Sequence, residues 1–217
     1  MKRTIATLTI AILTLASTCY AQGGLEWRVR AGFNNSSLIG VENTRPALGF
    51  YAGAGVGYLF NDHIGITLDA TYSQQGTRCN ADDKGVAVDY YFDYLNLPLL
   101  FNWRFGLGGT TFRLIAGPQL GIFLNGKMSY AAPSVSGAGS VSGTQKLNKK
   151  SFHPADFGLA TGLQWELWKE RLMLEVRYTM GITQTHDGIS NTMDGYYYIS
   201  VPDNRNSVLQ VGITALF

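Results

Sequence analysis

Residues 172–182 read LMLEVRYTMGI, and every second side chain of this stretch is apolar. The apolar positions are Leu172, Leu174, Val176, Tyr178, Met180 and Ile182. Glu175 and Arg177 both fall in the alternate positions, so the two charges share one face. Because successive side chains of a strand point to opposite faces, the pattern predicts a β-strand with one apolar and one polar face.

The same period of two recurs in seven further segments. They are residues 25–34, 50–60, 64–73, 95–104, 112–122, 157–167 and 209–217. Each predicted strand has about 9–13 residues, the length at which a tilted strand crosses a bilayer. In all of them the charged residues fall in the phase opposite to the apolar one. The sequence therefore predicts eight strands with one face suited to lipid and the other to polar contacts.

The connections between these strands alternate in length. Residues 61–63, 106–110 and 168–171 are short connections, whereas 35–46, 74–92, 125–154 and 184–205 are long. An even strand count with short turns at one end and long loops at the other is typical of outer-membrane barrels rather than of soluble sandwiches. We predict an all-β fold, an eight-stranded antiparallel up-and-down transmembrane β-barrel with short periplasmic turns and long extracellular loops.

Aromatic residues are predicted to form a girdle at each membrane surface. The periplasmic girdle would contain Trp27, Tyr58, Phe60, Trp103, Trp165, Trp168 and Phe217. The outer girdle would contain Tyr72, Tyr91, Phe92, Tyr94 and Phe157.

The composition agrees with a chain that faces lipid. Only 15% of residues are charged, compared with about 25% in soluble domains, and a lipid-facing charge is costly. The 26 glycines make a helical array unlikely, and the aromatic content excludes a disordered chain. A net charge of +2 lacks the basic excess of nucleic-acid binders.

The N-terminus has the pattern of a secretory signal peptide. Lys2 and Arg3 precede an uncharged, mostly apolar stretch, and Cys19-Tyr20-Ala21 places small residues around a cleavage site after Ala21. A membrane anchor and a lipoprotein signal at Cys19 are the alternatives. We expect residues 1–21 to be a Sec signal peptide and residues 22–217 to be the barrel domain, in which Cys79 has no partner for an intrachain disulfide.

Several segments resemble the PorT-like outer-membrane β-barrel family, small barrels of the Bacteroidetes. They are 93–105 (DYLNLPLLFNWRF), 112–124 (FRLIAGPQLGIFL), 155–167 (ADFGLATGLQWEL), 172–183 (LMLEVRYTMGIT) and 206–217 (NSVLQVGITALF). The resemblance implies an outer-membrane barrel. It implies no catalytic residue, although a few members resemble components of secretion or gliding machinery.

The inward-facing phase is predicted to carry a set of mixed charges. Its members are Glu26, Arg28, Arg30, Asp69, Arg104, Arg113, Glu166, Glu175 and Arg177. Since side chains just fill an eight-stranded barrel, we expect a packed, ion-paired interior, with a narrow channel as the alternative. Pro98 and Pro118 fall inside predicted strands, so we also expect a local bulge where these two meet.

The long connections carry the candidate recognition residues. Their aromatic and basic side chains suit a protein, glycan or lipopolysaccharide partner, and strands extended above the membrane are the alternative. A calcium site is considered at Asp82, Asp83, Asp194 and Asp203, and catalysis on lipid A or protein at His186, Asp187 and Ser190. His63 and His153 stand in a turn and beside a predicted strand. No motif supports either activity.

We therefore expect a non-enzymatic outer-membrane protein with no catalytic residue, no cofactor and no metal. It would bind at the cell surface or support the envelope. The alternatives are a PorT-like subunit of a secretion or assembly machinery and a narrow porin-like channel. The expected partners are outer-membrane lipid, lipopolysaccharide and envelope proteins that meet its loops or turns, and no nucleic acid.

Overall fold

The computed structural model describes residues 24–39, 44–79, 87–133, 140–147, 153–168, 171–184 and 205–217. Nine β-strands lie in these ranges: β1 (Leu25–Ile39), β2 (Thr44–Leu59), β3 (Ile64–Cys79), β4 (Ala87–Leu107), β5 (Thr110–Pro133), β6 (Ser140–Lys146), β7 (Ala155–Trp168), β8 (Leu172–Gly181) and β9 (Arg205–Leu216). Among the described residues, no helix is long and apolar enough to cross a membrane. The predicted signal peptide lies outside the described ranges and stays a prediction.

Eight of the strands close into a ring. The order of hydrogen-bonded neighbours is β4-β3-β2-β1-β9-β8-β7-β5, and β4 pairs with β5 to complete the circle. All pairings are antiparallel. The predicted closed eight-stranded antiparallel barrel is confirmed. β6 is a ninth strand, which pairs with 127–133 of β5, while β7 pairs with 112–122 of the same strand.

The short connections mark what we call the lower end of the barrel. Gly108 and Gly109 have φ values of 61° and 83°, and the Leu107–Thr110 pair closes the turn. Two positive φ angles match the right-handed twist of the flanking strands in a two-residue hairpin. At the turn between β2 and β3, Asn61 Oδ1 accepts hydrogen bonds from the backbone N–H groups of His63 and Ile64 at 2.9 and 2.8 Å.

At the upper end, the strands are longer than predicted. β1 continues to Ile39, and β3 continues to Cys79. β4 already begins at Ala87, and β5 continues to Pro133. Much of the predicted loops 35–46, 74–92 and 125–154 is therefore strand, which agrees with the alternative of strands extended above the membrane. Their outward residues are mostly polar and their apolar residues point inward, so the outward apolar stripe of the membrane segments does not extend to them. Residues 185–204 of the fourth predicted loop lie outside the described ranges.

The outer wall carries the predicted apolar surface. Exposed apolar side chains occupy the outward positions of 25–33, 48–58, 64–72, 95–103, 112–122, 157–167, 172–182 and 209–217, and we call this band the apolar belt. The charged residues of these segments all lie in the inward phase. The four tryptophans are 43–65% exposed and lie near the lower end, as the periplasmic girdle requires.

The expected bulge at the prolines is wrong. Pro98 pairs with Gln119 and Phe101 with Ala116 at one constant register. A proline removes one donor from the ladder but adds no residue, so the register can continue through it. The bulge lies higher, where Asp93 pairs with Asn125 and Tyr94 with Phe123, which leaves Leu124 as the extra residue.

Candidate functional site

A network of buried ions occupies the middle of the barrel interior. We call Arg28, Arg30, Asp69, Glu175 and Arg177 the ionic network. Arg30 bonds to Asp69 at 3.3 Å and also to Glu175. Arg177 reaches the same two carboxylates, at 3.3 Å to Asp69 and 3.1 Å to Glu175. Arg28 Nε lies 3.6 Å from Asp69. Each carboxylate thus bridges more than one guanidinium, and all five side chains are removed from solvent.

Inward-facing glycines give these long side chains their space. Gly55 of β2 lies opposite Asp69 of β3, and a Cβ at Gly55 would stand 2.2 Å from Asp69 Oδ1. On β9, a Cβ at Gly212 would stand 2.3 Å from the Tyr51 hydroxyl. Only glycine therefore fits at these two positions while Asp69 and Tyr51 keep their places.

Neutral side chains satisfy part of the remaining hydrogen-bonding capacity of the network. Gln164 donates to Glu175, and the Thr214 hydroxyl donates to the same carboxylate at 3.3 Å. Arg28 donates to the Thr67 hydroxyl at 3.0 Å, and the Arg30 guanidinium lies 4.8 Å from the centre of the Tyr51 ring. Such contacts are needed because the attraction between buried ions repays their desolvation only when the remaining polar groups are also satisfied.

A second layer of ion pairs lies below the network. Both Arg113 Nη atoms bond to the Glu26 carboxylate, at 2.6 and 2.8 Å, and Arg104 lies 3.5 Å from Glu166. Strands β1 and β5, which carry Glu26 and Arg113, stand on opposite sides of the ring. The same holds for β3 and β8, which carry the Asp69–Arg177 pair. Salt bridges thus span the lumen at two levels, and the predicted packed interior is confirmed.

Above the network, the interior changes to apolar side chains. Eight of them form one cluster, which we call the mouth cluster: Leu38, Val88, Tyr90, Phe92, Tyr94, Phe123, Met128 and Leu147. The Phe123 ring lies 5.6 Å from Tyr94 and 6.3 Å from Phe92, centre to centre, both in edge contacts. Leu147 follows β6, so the added strand also contributes to the cluster.

The mouth cluster corrects the prediction of the outer girdle. Tyr91 and Phe157 point outward, 37% and 56% exposed, as predicted, and Tyr72 is partly exposed. Phe92 and Tyr94 were assigned wrongly, since both are buried inside the barrel. Phe92, Tyr94 and the inward Asn96 occupy alternate positions of one strand, so all three point to the same face. This alternation is the signal in the sequence that indicates their inward orientation.

A small polar recess lies between the ionic network and the mouth cluster. Its lining includes Gln75, Asn96, Gln119, Asp156, Thr179 and Asn206. Asn206 donates to Asp156 Oδ2 at 3.2 Å. Asp156 lies in β7 beside the belt residue Phe157, and its side chain is partly buried. Sequence reasoning did not include Asp156 in the interior set.

The remaining candidates give no reactive arrangement. Within the described ranges, no three His, Cys, Asp or Glu side chains come together as a metal site would require. His63 Nδ1 lies 3.2 Å from the Arg104 carbonyl oxygen in a lower turn, and His153 stands before β7. Cys79 is free and partly buried. The candidates that lie outside the described residues are Asp82, Asp83, His186, Asp187, Ser190, Asp194 and Asp203.

A closed antiparallel barrel with an apolar outer wall and an ion-paired interior is a transmembrane β-barrel of the outer-membrane type. The comparison with protein families agrees, because the model of the outer membrane protein beta-barrel domain matches residues 20–187. The chain belongs to this family. It is an outer-membrane protein of a Gram-negative cell envelope.

Three solved structures illustrate the similarity. Neisserial surface protein A is 14% identical, with 90% of this chain and 98% of that chain covered and a TM-score of 0.43. Ail, the attachment invasion locus protein of Yersinia pestis, is 14% identical, with 90% and 100% covered and a TM-score of 0.41. OprG of Pseudomonas aeruginosa is 14% identical, with 89% and 96% covered and a TM-score of 0.46. No match is found among curated proteins.

Proposed function

We propose that this chain is a non-enzymatic, non-conducting barrel whose upper extension binds partners at the cell surface. The observation that carries the proposal is the pair of salt bridges Arg177–Asp69 and Arg113–Glu26, which join opposite strands across the lumen. An interior crossed at two levels favours a structural role for the barrel. Recognition is then left to the part of the protein outside the membrane.

The upper extension is the part of the sheet above the apolar belt: residues 74–79 of β3, 87–94 of β4, 125–133 of β5 and the whole of β6. Its strands are paired with one another, so it is a well-ordered surface. β3, β4 and β5 continue above the apolar belt and pair there, and β6 widens the sheet by one strand. The mouth cluster covers the inner face of this sheet, and most of its side chains belong to β4 and β5. A binding surface held by a packed sheet loses little conformational entropy when a partner binds.

The outer face of the extension is polar and chemically varied. Arg78 and Asp89 lie 4.0 Å apart in an exposed ion pair, and Tyr91 donates to the same aspartate at 3.4 Å. Ser129 and Thr144 share a hydrogen bond of 3.2 Å between β5 and β6. Exposed aromatic, charged and hydroxyl groups in one sheet suit recognition of a polar or charged ligand.

The second candidate is a PorT-like subunit of an envelope secretion or assembly machinery. It is favoured by the resemblance of 94–100, YLNLPLL, to that family. Such a subunit would hold other envelope proteins through its loops or turns. Under either function, residues 1–21 would direct export through the Sec pathway.

Extraction from native outer membranes in a mild detergent, followed by native sizing, separates the two candidates. A species near the mass of the barrel alone is the result expected of a self-contained surface protein. A discrete larger complex with other envelope proteins would contradict our proposal in favour of the machinery subunit. Loss of protein export on deletion of the gene would then be the confirming observation.

A further inference from the structure

Basic side chains stand directly opposite one another on the outer face of the extension. Lys127 of β5 pairs in register with Lys146 of β6, and Arg45 of β2 pairs with Arg78 of β3. All four side chains are exposed. Like charges at directly opposed positions of two strands are destabilising. Two such pairs, one on β2–β3 and one on β5–β6 of the same sheet, therefore favour the binding of an anion against this face.

The two pairs differ in how far the protein itself compensates them. Arg78 has Asp89 at 4.0 Å. For Lys127 and Lys146, the described part of the chain offers no carboxylate within ion-pair distance. The next pair of outward residues above them is Ser129 and Thr144, whose hydroxyls are hydrogen-bonded to each other at 3.2 Å. The protein therefore compensates the charge of the lysine pair less than that of the arginine pair.

The height of the lysine pair above the apolar belt fits the headgroup layer. Lys127 pairs with Tyr91 of β4, and Leu95 is the uppermost belt residue on that strand. The step from Leu95 to Tyr91 corresponds to roughly 10 Å along the membrane normal, for a rise of about 3.3 Å per residue and a strand tilt of about 40°. Flexible lysine side chains at this height reach down toward the polar groups that cover the hydrocarbon.

We propose that Lys127 and Lys146, with the hydroxyls of Ser129 and Thr144, bind a phosphate group of lipid A in the outer leaflet. Arg45 and Arg78 provide a second, weaker contact on the same side of the barrel. The inference rests on the proposed function as a cell-surface barrel and names one ligand class of its extension.

A lipid fits this surface better than an acidic protein does. Below Lys127 the outward face of β5 passes Asn125 and the bulge at Leu124 and then carries the belt residues from Ile122 to Leu114, so one molecule can meet both chemistries. Acyl chains would contact the belt, and the phosphate would lie between the two ammonium groups. An acidic protein would use the charges but would leave this continuity unexplained.

The test compares lipid A binding by three purified proteins in phosphatidylcholine nanodiscs. They are the wild type, the double variant Lys127→Gln/Lys146→Gln, and Arg171→Gln as the control. Arg171 is an exposed cation at the lower end, so its replacement removes charge from the other membrane side. The probes are lipid A and the same lipid A after enzymatic removal of its phosphates. Circular dichroism and heat-modified gel mobility establish that each barrel is folded.

The double variant is expected to bind lipid A about tenfold or more weakly, since it lacks both ammonium groups that attract the phosphate. Arg171→Gln is expected to bind like the wild type, and the three proteins are expected to bind dephosphorylated lipid A equally weakly. Equal lipid A affinity of double variant and wild type would overturn the proposal and leave the patch to an acidic protein. Wild type that binds both probes equally would also overturn it. Conductance by the wild type would contradict the proposed function and leave this inference standing.

Discussion

The lower and upper halves of the barrel interior are filled by opposite chemistry. The lower half holds nine ionised side chains, among them the Arg30–Glu175 and Arg113–Glu26 pairs. The upper half holds the mouth cluster, whose members are buried aromatic and aliphatic side chains such as Phe92 and Phe123. Both halves are closed, but one is closed by charge and the other by apolar packing.

The environment of the outer wall explains this difference. Where the wall contacts lipid, its outward positions must be apolar, and the alternation leaves the polar residues inside. Where the wall rises into water, the chemistry of the two faces is exchanged, so that polar residues point outward and apolar residues point inward. Asp89 and Lys127 point outward, while Tyr90 and Met128 point inward. On β5 the reversal coincides with the bulge at Leu124, because the extra residue shifts the inward phase from odd to even positions.

The largest expected effect comes from breaking the ionic network. Glu175→Ala leaves Arg30 and Arg177 buried without one of their two carboxylates, and we expect a loss of about 3–5 kcal/mol in the free energy of unfolding. Urea unfolding in detergent micelles, followed by tryptophan fluorescence, measures it. Val176→Ala, the adjacent lipid-facing change, is the control. Equal losses in the two variants would contradict a structural role for the network.

A smaller loss is expected from the mouth cluster. Phe123→Ala removes a ring that contacts Phe92 and Tyr94, and it should lower the free energy of unfolding by about 3 kcal/mol through the cavity that it leaves. Tyr91→Ala, on the outward face of the same sheet, should cost much less in the same unfolding experiment. If the two variants are equally stable, the upper interior is not a packed core.

The smallest effect is expected outside the barrel. Arg78→Gln breaks an ion pair with Asp89 whose side chains are 52% and 35% exposed. Exposed pairs contribute little, so the free energy of unfolding should change by less than about 1 kcal/mol. The same unfolding assay applies, and a loss as large as that of Glu175→Ala would mean that burial does not set the value of an ion pair in this protein.

The membrane part of the fold could be predicted almost completely from the sequence. Lipid imposes a strict alternation, so segments such as 172–182 indicate strand, face and burial together. The inward charges were also found, because any charge in a spanning strand must leave the lipid face. Partners such as Arg113 and Glu26, on opposite strands, could not be assigned without the closure of the ring.

Above the membrane the same reasoning was less successful. Because water tolerates polar outward residues, the outward apolar stripe ends above the membrane. The alternation that remains on β4 is the inward one of Val88, Tyr90, Phe92 and Tyr94, which the search for a lipid-facing stripe does not detect. The proline bulge was wrong because a missing N–H group was taken to imply a shift of register, whereas the shift needs an added residue, Leu124.

Conductance of the purified wild-type protein in planar bilayers tests the central claim most directly. A lumen crossed by Arg113–Glu26 and Arg177–Asp69 and covered by the mouth cluster should give no stepwise ion current at any moderate voltage, although the inserted barrel is folded. Reproducible single-channel steps from the folded wild type would contradict a closed interior and would make the protein a narrow channel.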